Sequence, residues 1–287
     1  MASPMGPCGL EGPSDKHLLY TFYELDSPTE PEKNVMSNTK TAVSSSFTKA
    51  VFEKAGCEVH FVPLGFDNYN FHPTDKEYFK DGRITFNLCG KFEHRKHHAK
   101  ILKAWVKEFG DNAKYHLQCA LYNPFLDAQQ NNGLLSHALE GKRYANVTFL
   151  NHMPKNSLYN DFLNSGDIII GMSGGEGWGL PEFQSVCLGA HGVILNAHAY
   201  KDWANEENSV MVQPSDKISA IDNIFFNQGS PINQGYIFNW KDEDFIEGCH
   251  KAIERVEKSD RKNKSGLKLG EEMTYEKTLS GLLELAP

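Results

Sequence analysis

Ser173-Gly-Gly-Glu-Gly-Trp-Gly-Leu-Pro-Glu-Phe-Gln184 separates an apolar string at 168–172 from a second apolar stretch at 180–188. The first string, Ile-Ile-Ile-Gly-Met, has strand length and no polar residue, the pattern of a strand covered on both faces. The second has helical apolar spacing and opens on Leu180-Pro181, where the N–H that proline lacks has no intrahelical partner to lose. Gly174, Gly175, Gly177 and Gly179 lie between the two. They allow positive φ and close approach of the backbone to a ligand. The helix that follows aims unpaired N–H groups and the positive end of its dipole at the same spot, which makes the turn an anion site. Glu176 inside it would repel a bare phosphate, but it can accept hydrogen bonds from hydroxyls beside one. A phosphorylated sugar offers both groups. The plainer alternative is a glycine-rich turn with Glu176 in solvent.

The next informative stretch lies about 80 residues upstream. Cys89-Gly-Lys-Phe-Glu-His-Arg-Lys-His-His98 also sits between a predicted strand, 83–89, and a predicted helix, 95–109. Gly90 frees the backbone, and Lys91 and Lys96 flank the turn. Two ammonium groups near a helix start can neutralise a diphosphate. The alternative is that Arg95, Lys96, His97 and His98 form a solvated first turn. His94, His97 and His98 raise a zinc reading, because positions four apart share a helix face. No Cys, Asp or Glu cluster completes it, so no metal is expected. Trp105 and Phe109 read as core. Asn151-His152-Met153 follows a predicted strand at 147–150, the usual place for ligand contacts in parallel sheets; an ordinary loop fits it as well. There is no Gly-x-Ser-x-Gly elbow and no Walker A loop.

Further strands are predicted at 115–121, 168–172 and 193–195. Helices are predicted at 134–139, 156–163, 180–188, 242–256 and 275–285. Strands alternating with helices imply βαβ units, a parallel sheet and right-handed crossovers. Upstream, strands at 17–23, 41–45 and 58–63, with a helix at 46–55 closed by Gly56, give a shorter β-β-α-β unit. It ends in a loop at 65–73. The charged stretch 74–82 reads as a linker, 258–264 as a polar gap, and 1–16, with three Gly and three Pro, as a disordered leader.

The 287 residues, 40% hydrophobic and 23% charged, suffice for one large or two modest domains. No apolar run is long enough for a membrane helix, and no basic-then-apolar start marks a secretory signal. A net charge of −8 disfavours non-specific binding to nucleic acid or an acidic membrane. The six cysteines form no CxxC pair and read as buried thiols of a cytoplasmic protein.

Taken together, these motifs resemble the C-terminal half of GT-B glycosyltransferases, in particular the large family-4 group of retaining, nucleotide-sugar-dependent enzymes. In that family a strand ending in Gly-Arg/Lys is followed by a Lys five residues later, as at Gly90, Lys91 and Lys96. A Glu-Gly-Phe-Gly-Leu-Pro element matches residues 176–181. Ser44-Ser-Ser-Phe47 and Val62-Pro-Leu-Gly-Phe-Asp67 resemble its strand-to-linker region, so the resemblance covers about residues 20–260. It implies an α/β, GT-B-like chain. Residues 81–262 would form one complete Rossmann-like C-terminal domain, and 17–80 a partial N-terminal, acceptor-side lobe with its linker. A helix within 263–287 would pack back on that lobe.

The implied activity is transfer of a hexosyl unit from a nucleotide diphosphate sugar, with retention of configuration. Lys91, Lys96 and N–H groups near Trp178 and Leu180 would stabilise charge on the leaving diphosphate, and Glu176 would hold sugar hydroxyls. Gly90, Met153, Gly177, Gly179 and Gln184 would complete the donor site. Lysines and a helix end do the neutralising, so neither a metal nor a cofactor beyond the donor is expected.

Two departures stand out. Gln184 occupies the place of the family's second Glu, eight positions after the first, which holds the donor ribose. An amide still bonds hydroxyls but loses a charge-assisted bond, about 1–2 kcal/mol. The loops of a full N-terminal domain, including the one bearing an acceptor-side His, have no visible counterpart. The chain would then be a fragment or a minimal variant, or a partner chain or second copy would complete the lobe. The alternative function is a nucleotide-sugar-binding module without turnover. The acceptor, whether glycan, protein or small molecule, is not legible.

Overall fold

The computed structural model describes residues 17–74, 82–259 and 261–286. The expected leader at 1–16 and most of the expected linker at 74–82 lie outside them.

Three short strands open the chain. β1 (Leu18–Thr21), β2 (Lys40–Val43) and β3 (His60–Phe61) pair in parallel in the order β1-β2-β3. Between β1 and β2 runs a helix the sequence reading lacked, α1 (Glu30–Asn38). Few apolar residues mark it, but its start is specified: Thr29 and Glu32 form a capping box, and Pro31 lies in the first turn. The unit is therefore β-α-β-α-β rather than β-β-α-β. α2 (Ser46–Lys54) follows, with the Ser45 hydroxyl accepting from Thr48 N.

The larger domain is built on β4 (Ile84–Gly90), β5 (Tyr115–Leu121), β6 (Val147–Phe149), β7 (Ile168–Gly171), β8 (His191–Leu195) and β9 (Ser209–Val212). They form one six-stranded sheet in the order β6-β5-β4-β7-β8-β9, parallel throughout. Helices α3 (His98–Phe109), α4 (Ala128–Ala138), α5 (Asn156–Ser165) and α6 (Leu180–Cys187) make the crossovers. The strand order reverses between β4 and β7. A crevice opens at the carboxyl ends of the strands where such a reversal occurs. It places the Gly90 turn and the 172–179 loop side by side.

Phe86, Trp105 and Phe109 are fully buried and meet with ring centroids 5.3–5.8 Å apart, so they are core. α3 begins later than the predicted start at 95, because His94–Lys96 form a 3₁₀ turn and His97 is left-handed (φ 55°). α4 begins earlier than the predicted 134–139, since a second capping box, Asp127 with Gln130, starts it through residues without apolar periodicity.

After β9 the chain makes an antiparallel hairpin, β10 (Lys217–Ser219) with β11 (Tyr236–Phe238), that reaches back to the small lobe. Ala220, Phe226 and Ile237 join Tyr23, Leu25, Val35, Met36, Val43 and Phe52 in the small lobe's core. Asp26 receives Lys217 Nζ (2.6 Å) and Tyr236 N (2.9 Å), and Glu32 receives Asn233 N (2.7 Å). The two lobes thus share one apolar cluster and a set of polar clasps.

α7 (Asp242–Lys258) covers the sheet. α8 (Lys264–Glu272) lies against α6, and α9 (Tyr275–Leu285) lies along residues 62–69. The Thr278 hydroxyl donates to Pro63 O (2.9 Å) and accepts from Gly65 N (2.7 Å). Cys57, Cys89, Cys119, Cys187 and Cys249 are free and buried. No helix among the described residues is long and apolar enough to cross a membrane.

Candidate functional site

The turn after β4 and the loop after β7 meet. Lys96 Nζ lies 2.5 Å from Glu176 Oε1, across 80 residues of sequence, with both side chains nearly buried. Neither alternative of a solvated turn holds. Arg95, Lys96, His97 and His98 are all buried, and Glu176 is 5% exposed. The backbones join as well: Gly174 N donates to Arg95 O (2.9 Å) and Phe238 N to Gly174 O (2.8 Å).

Arg95 is the hub. Its guanidinium lies 3.3 Å from Glu176, 2.6 Å from Glu93 and 3.0 Å from Glu24 of the small lobe, and it donates to Gly175 O. Burial alone would raise the Glu176 pKa, but Lys96 and Arg95 outweigh it and hold the carboxyl at about 2. Burial would likewise lower Lys96, yet Glu176 keeps it above its usual value. Burial pushes His97 down to about 4 and His98 to about 3, so both rings are neutral at pH 7.

Gly179 caps α6 in the left-handed region (φ 83°), where a side chain would run into the Tyr200 ring. No side chain caps α6, which leaves the Leu180 N–H without an intrahelical partner; Pro181 has none to offer. Gly177 O accepts from Ser44 Oγ (2.7 Å), which ties this loop to the small lobe.

The other predicted residues separate into groups. Gly90 ends β4 and Met153 follows β6. With Cys89, Tyr122, Asn151 and Tyr159 they line a cavity of about 390 Å³ at the mouth of the sheet. Lys91 turns elsewhere: its ammonium sits 2.9 Å from Glu93 and 4.3 Å above the Phe225 ring. Trp178 is fully buried, packed edge-on to Phe183, and its carbonyl accepts from Trp203 Nε1 (3.0 Å). Its side chain is core. Leu180 is exposed at the start of α6, and Gln184 is buried two residues beyond Glu182.

Sequence reasoning missed Glu24 and Glu182 and gave Arg95 no role beyond the alternative of a solvated turn. Glu182, 3% exposed, lies close enough to Lys96 for the two charges to interact. The signals were faint: a basic residue beside Lys96, and a carboxylate displaced two places from Gln184. His94, His97 and His98 do not converge, because His94 Nε2 bonds Ser219 O and His97 Nε2 bonds Phe238 O. Among the described residues no group of three or more His, Cys, Asp or Glu is placed to hold a metal. A larger cavity, about 620 Å³, lies between α3, α4 and the β10–β11 segment. It offers mainly Phe92, Leu126, Leu134, Ile218, Ile224 and Phe225.

A complete Rossmann-like domain with a glycine-rich loop at the switch point, joined to a smaller parallel lobe, is the GT-B arrangement. No family model matches the chain, and no curated protein matches it. Solved structures do. Sucrose-phosphate synthase from Thermosynechococcus elongatus superposes at a TM-score of 0.65 and 15% identity, over 89% of this chain and 59% of that one. HepE from Anabaena, solved with UDP and glucose, superposes at 0.68 and 10% identity, over 93% of this chain and 70% of that one. The C-terminal domain of LpcC, a glycosyl transferase group 1 protein from Francisella tularensis, superposes at 0.52 and 13% identity, over 71% of this chain and 96% of that one. The chain therefore has a GT-B fold, one complete C-terminal Rossmann-like domain with a partial N-terminal one. It spans about 59% of the length of the synthase.

Proposed function

We propose that this chain is the donor-binding part of a glycosyltransferase that moves a hexosyl unit from a nucleotide diphosphate sugar to an acceptor, with retention of configuration. The observation that carries the reading is the buried Lys96–Glu176 contact at the switch-point crevice, beside the open N-terminus of α6. A sugar diphosphate presents an anion next to hydroxyls, and this contact presents a cation next to an acceptor of hydrogen bonds.

In this reading the diphosphate sits on the first N–H groups of α6 and draws the Lys96 ammonium. As the glycosidic bond lengthens, negative charge grows on the leaving oxygen, and these fixed positive groups stabilise it. Loss of one such donor costs about 3 kcal/mol in the barrier. Glu176, released from Lys96, accepts from sugar hydroxyls and orients the ring. The nucleoside lies toward Gly90 and Met153, where Tyr122 and His152 face one another at 6.3 Å. Lys91 acts at longer range, through Glu93. Neutralisation is assigned to Lys96 and α6 rather than to a divalent ion. The acceptor approaches from the small-lobe side, past the exposed Phe22, with a second copy or a partner chain completing that surface. The buried free thiols fit a reducing, cytoplasmic setting.

A second reading has its own observation. Glu176 is engaged by both Lys96 and Arg95, and Arg95 also holds Glu24 of the other lobe. Such a closed network fits a binding module without turnover. Incubation with UDP- and GDP-hexoses, following free sugar and nucleotide by chromatography, separates the two. Hydrolysis or transfer lost in Lys96→Ala and Glu176→Ala supports the enzyme. Binding without any release over hours supports the module. Unchanged turnover in both variants refutes the assigned roles.

A further inference from the structure

Lys96 is flanked by two carboxylates, not one. Glu176 takes its hydrogen bond, and Glu182, reaching in from the first turn of α6, lies behind it. The two acids are bound differently. Glu176 has Lys96 and Arg95 as ionic partners. Glu182 Oε2 is buried and has no hydrogen-bond partner among the described residues, and the neighbouring Tyr200 hydroxyl has none either. That oxygen also packs against the donor loop: a side-chain carbon at Gly179 would lie 3.2 Å from it.

The groups around Glu182 come from every side. Lys96 belongs to the 3₁₀ turn after β4 and Glu176 to the loop after β7, with Tyr200 in the turn after β8. Cys89 at the end of β4 and Tyr159 on α5 also feel its charge. Only Lys96 among them is a cation, and Glu176 already occupies it. A diphosphate arriving at Lys96 brings more negative charge into the same buried space. Carboxylates and phosphates so close, sharing one ammonium, cannot all stay ionised. The one without an ionic partner of its own is the one that takes a proton.

We propose, on the basis of the donor-binding reading, that Glu182 is a positioning residue for Lys96 and that the donor binds with uptake of a proton at Glu182. A neutral Glu182 leaves the ammonium to the diphosphate; an ionised one competes for it. Burial, more than it is offset by Lys96, already lifts this carboxyl to about 7 in the free protein, so the switch falls at ordinary pH. The sign follows. Below neutrality Glu182 is protonated before the donor arrives, and affinity is flat. Above it, each binding event must draw a proton from solution, and affinity falls with rising pH.

The test uses the whole chain and two probes, UDP-glucose and GDP-mannose, whose diphosphates do not themselves titrate near neutrality. Calorimetry between pH 6 and 9, in two buffers of different ionisation heat, gives Kd and the number of protons bound. For the wild type, Kd should rise by up to about tenfold per pH unit above 7, with up to one proton taken up. Glu182→Gln, nearly isosteric, should bind with a flat pH profile and no uptake. Tyr200→Phe removes a neighbouring hydroxyl whose dipole can turn toward the ionised carboxylate although no hydrogen bond is formed in the free protein, and should move the wild-type transition to higher pH. If the slope and the uptake persist in Glu182→Gln, the role of Glu182 is overturned and the donor reading stands. If neither nucleotide sugar binds the wild type at any pH, the donor reading falls and this inference with it.

Discussion

Lys96 and Glu176 should behave in unfolding as one unit, which a double-mutant cycle of Lys96→Met and Glu176→Gln can measure. The environment holds the Glu176 pKa at about 2 against 4.5 for the free side chain. That lowering corresponds to on the order of 3 kcal/mol favouring the ionised form. Lys96 and Arg95 share that effect, and Arg95 remains 3.3 Å away when Lys96 is lost. Lys96→Met should therefore cost about 2–3 kcal/mol, at the low end for breaking a buried pair. Glu176→Gln, which leaves Lys96 facing an amide, should cost about 2 kcal/mol. The double variant should cost about 2 kcal/mol less than the sum.

The pH dependence adds a second check on the same pair. A carboxyl whose folded pKa is depressed contributes stability that is complete above its unfolded value, 4.5, and is lost as the pH falls toward 2. The wild-type advantage over Glu176→Gln should thus shrink between pH 5 and pH 3, while other carboxylates cancel in the comparison. Urea unfolding followed by circular dichroism at pH 7, 5 and 3 gives both quantities. Single-variant costs that add within about 0.5 kcal/mol would refute the coupling. So would a wild-type advantage that does not change with acid.

Other expectations follow from packing. Gly65→Ala would drive a methyl group into the backbone of Thr274 and Tyr275, and should lower Tm by several degrees, whereas Gly133→Ala, at an exposed position within α4 with open space around it, should gain about 0.5–1 kcal/mol. Gly177→Ala places its methyl 2.7 Å from the Phe22 Cβ and should loosen the small lobe from the 173–179 loop. Hydrogen exchange at 18–25 and 173–179 would show it, and unchanged protection at both would count against the contact. Trp105→Ala empties a fully buried site and should cost about 3–5 kcal/mol in denaturant unfolding; a cost under 1 kcal/mol would contradict its place in the core.

The sheet was legible because both-face burial writes itself as unbroken apolar strings. Residues 168–170 are three isoleucines, and 84–90 holds only Thr85 and Asn87 as polar residues, so strand length and glycine punctuation fixed their type. α1 was not legible from periodicity, since Val35 and Met36 are its main apolar contacts; only its cap announces it. β9 and the β10–β11 hairpin are too short for a period, and what the hairpin buries belongs to the other lobe.

At the site, glycines marked the two turns, because a close backbone approach needs them wherever the ligand lies. The charges were harder. Arg95 and Lys96 are adjacent in sequence, and nothing local says that both turn inward. Their partners lie 80 residues ahead and, for Glu24, 71 residues behind. Lys91 shows the reverse case. The motif assigns it to the donor site, but Glu93, two residues on, captures its ammonium.

The most direct test is a crystal structure of the chain with UDP-glucose or GDP-mannose bound. The account predicts the diphosphate on the first N–H groups of α6 and within about 3 Å of Lys96 Nζ, Glu176 turned to the sugar hydroxyls, and the base beside Met153 and Tyr122. A nucleotide seated elsewhere, with the Lys96–Glu176 contact intact beneath it, would contradict the account at its centre.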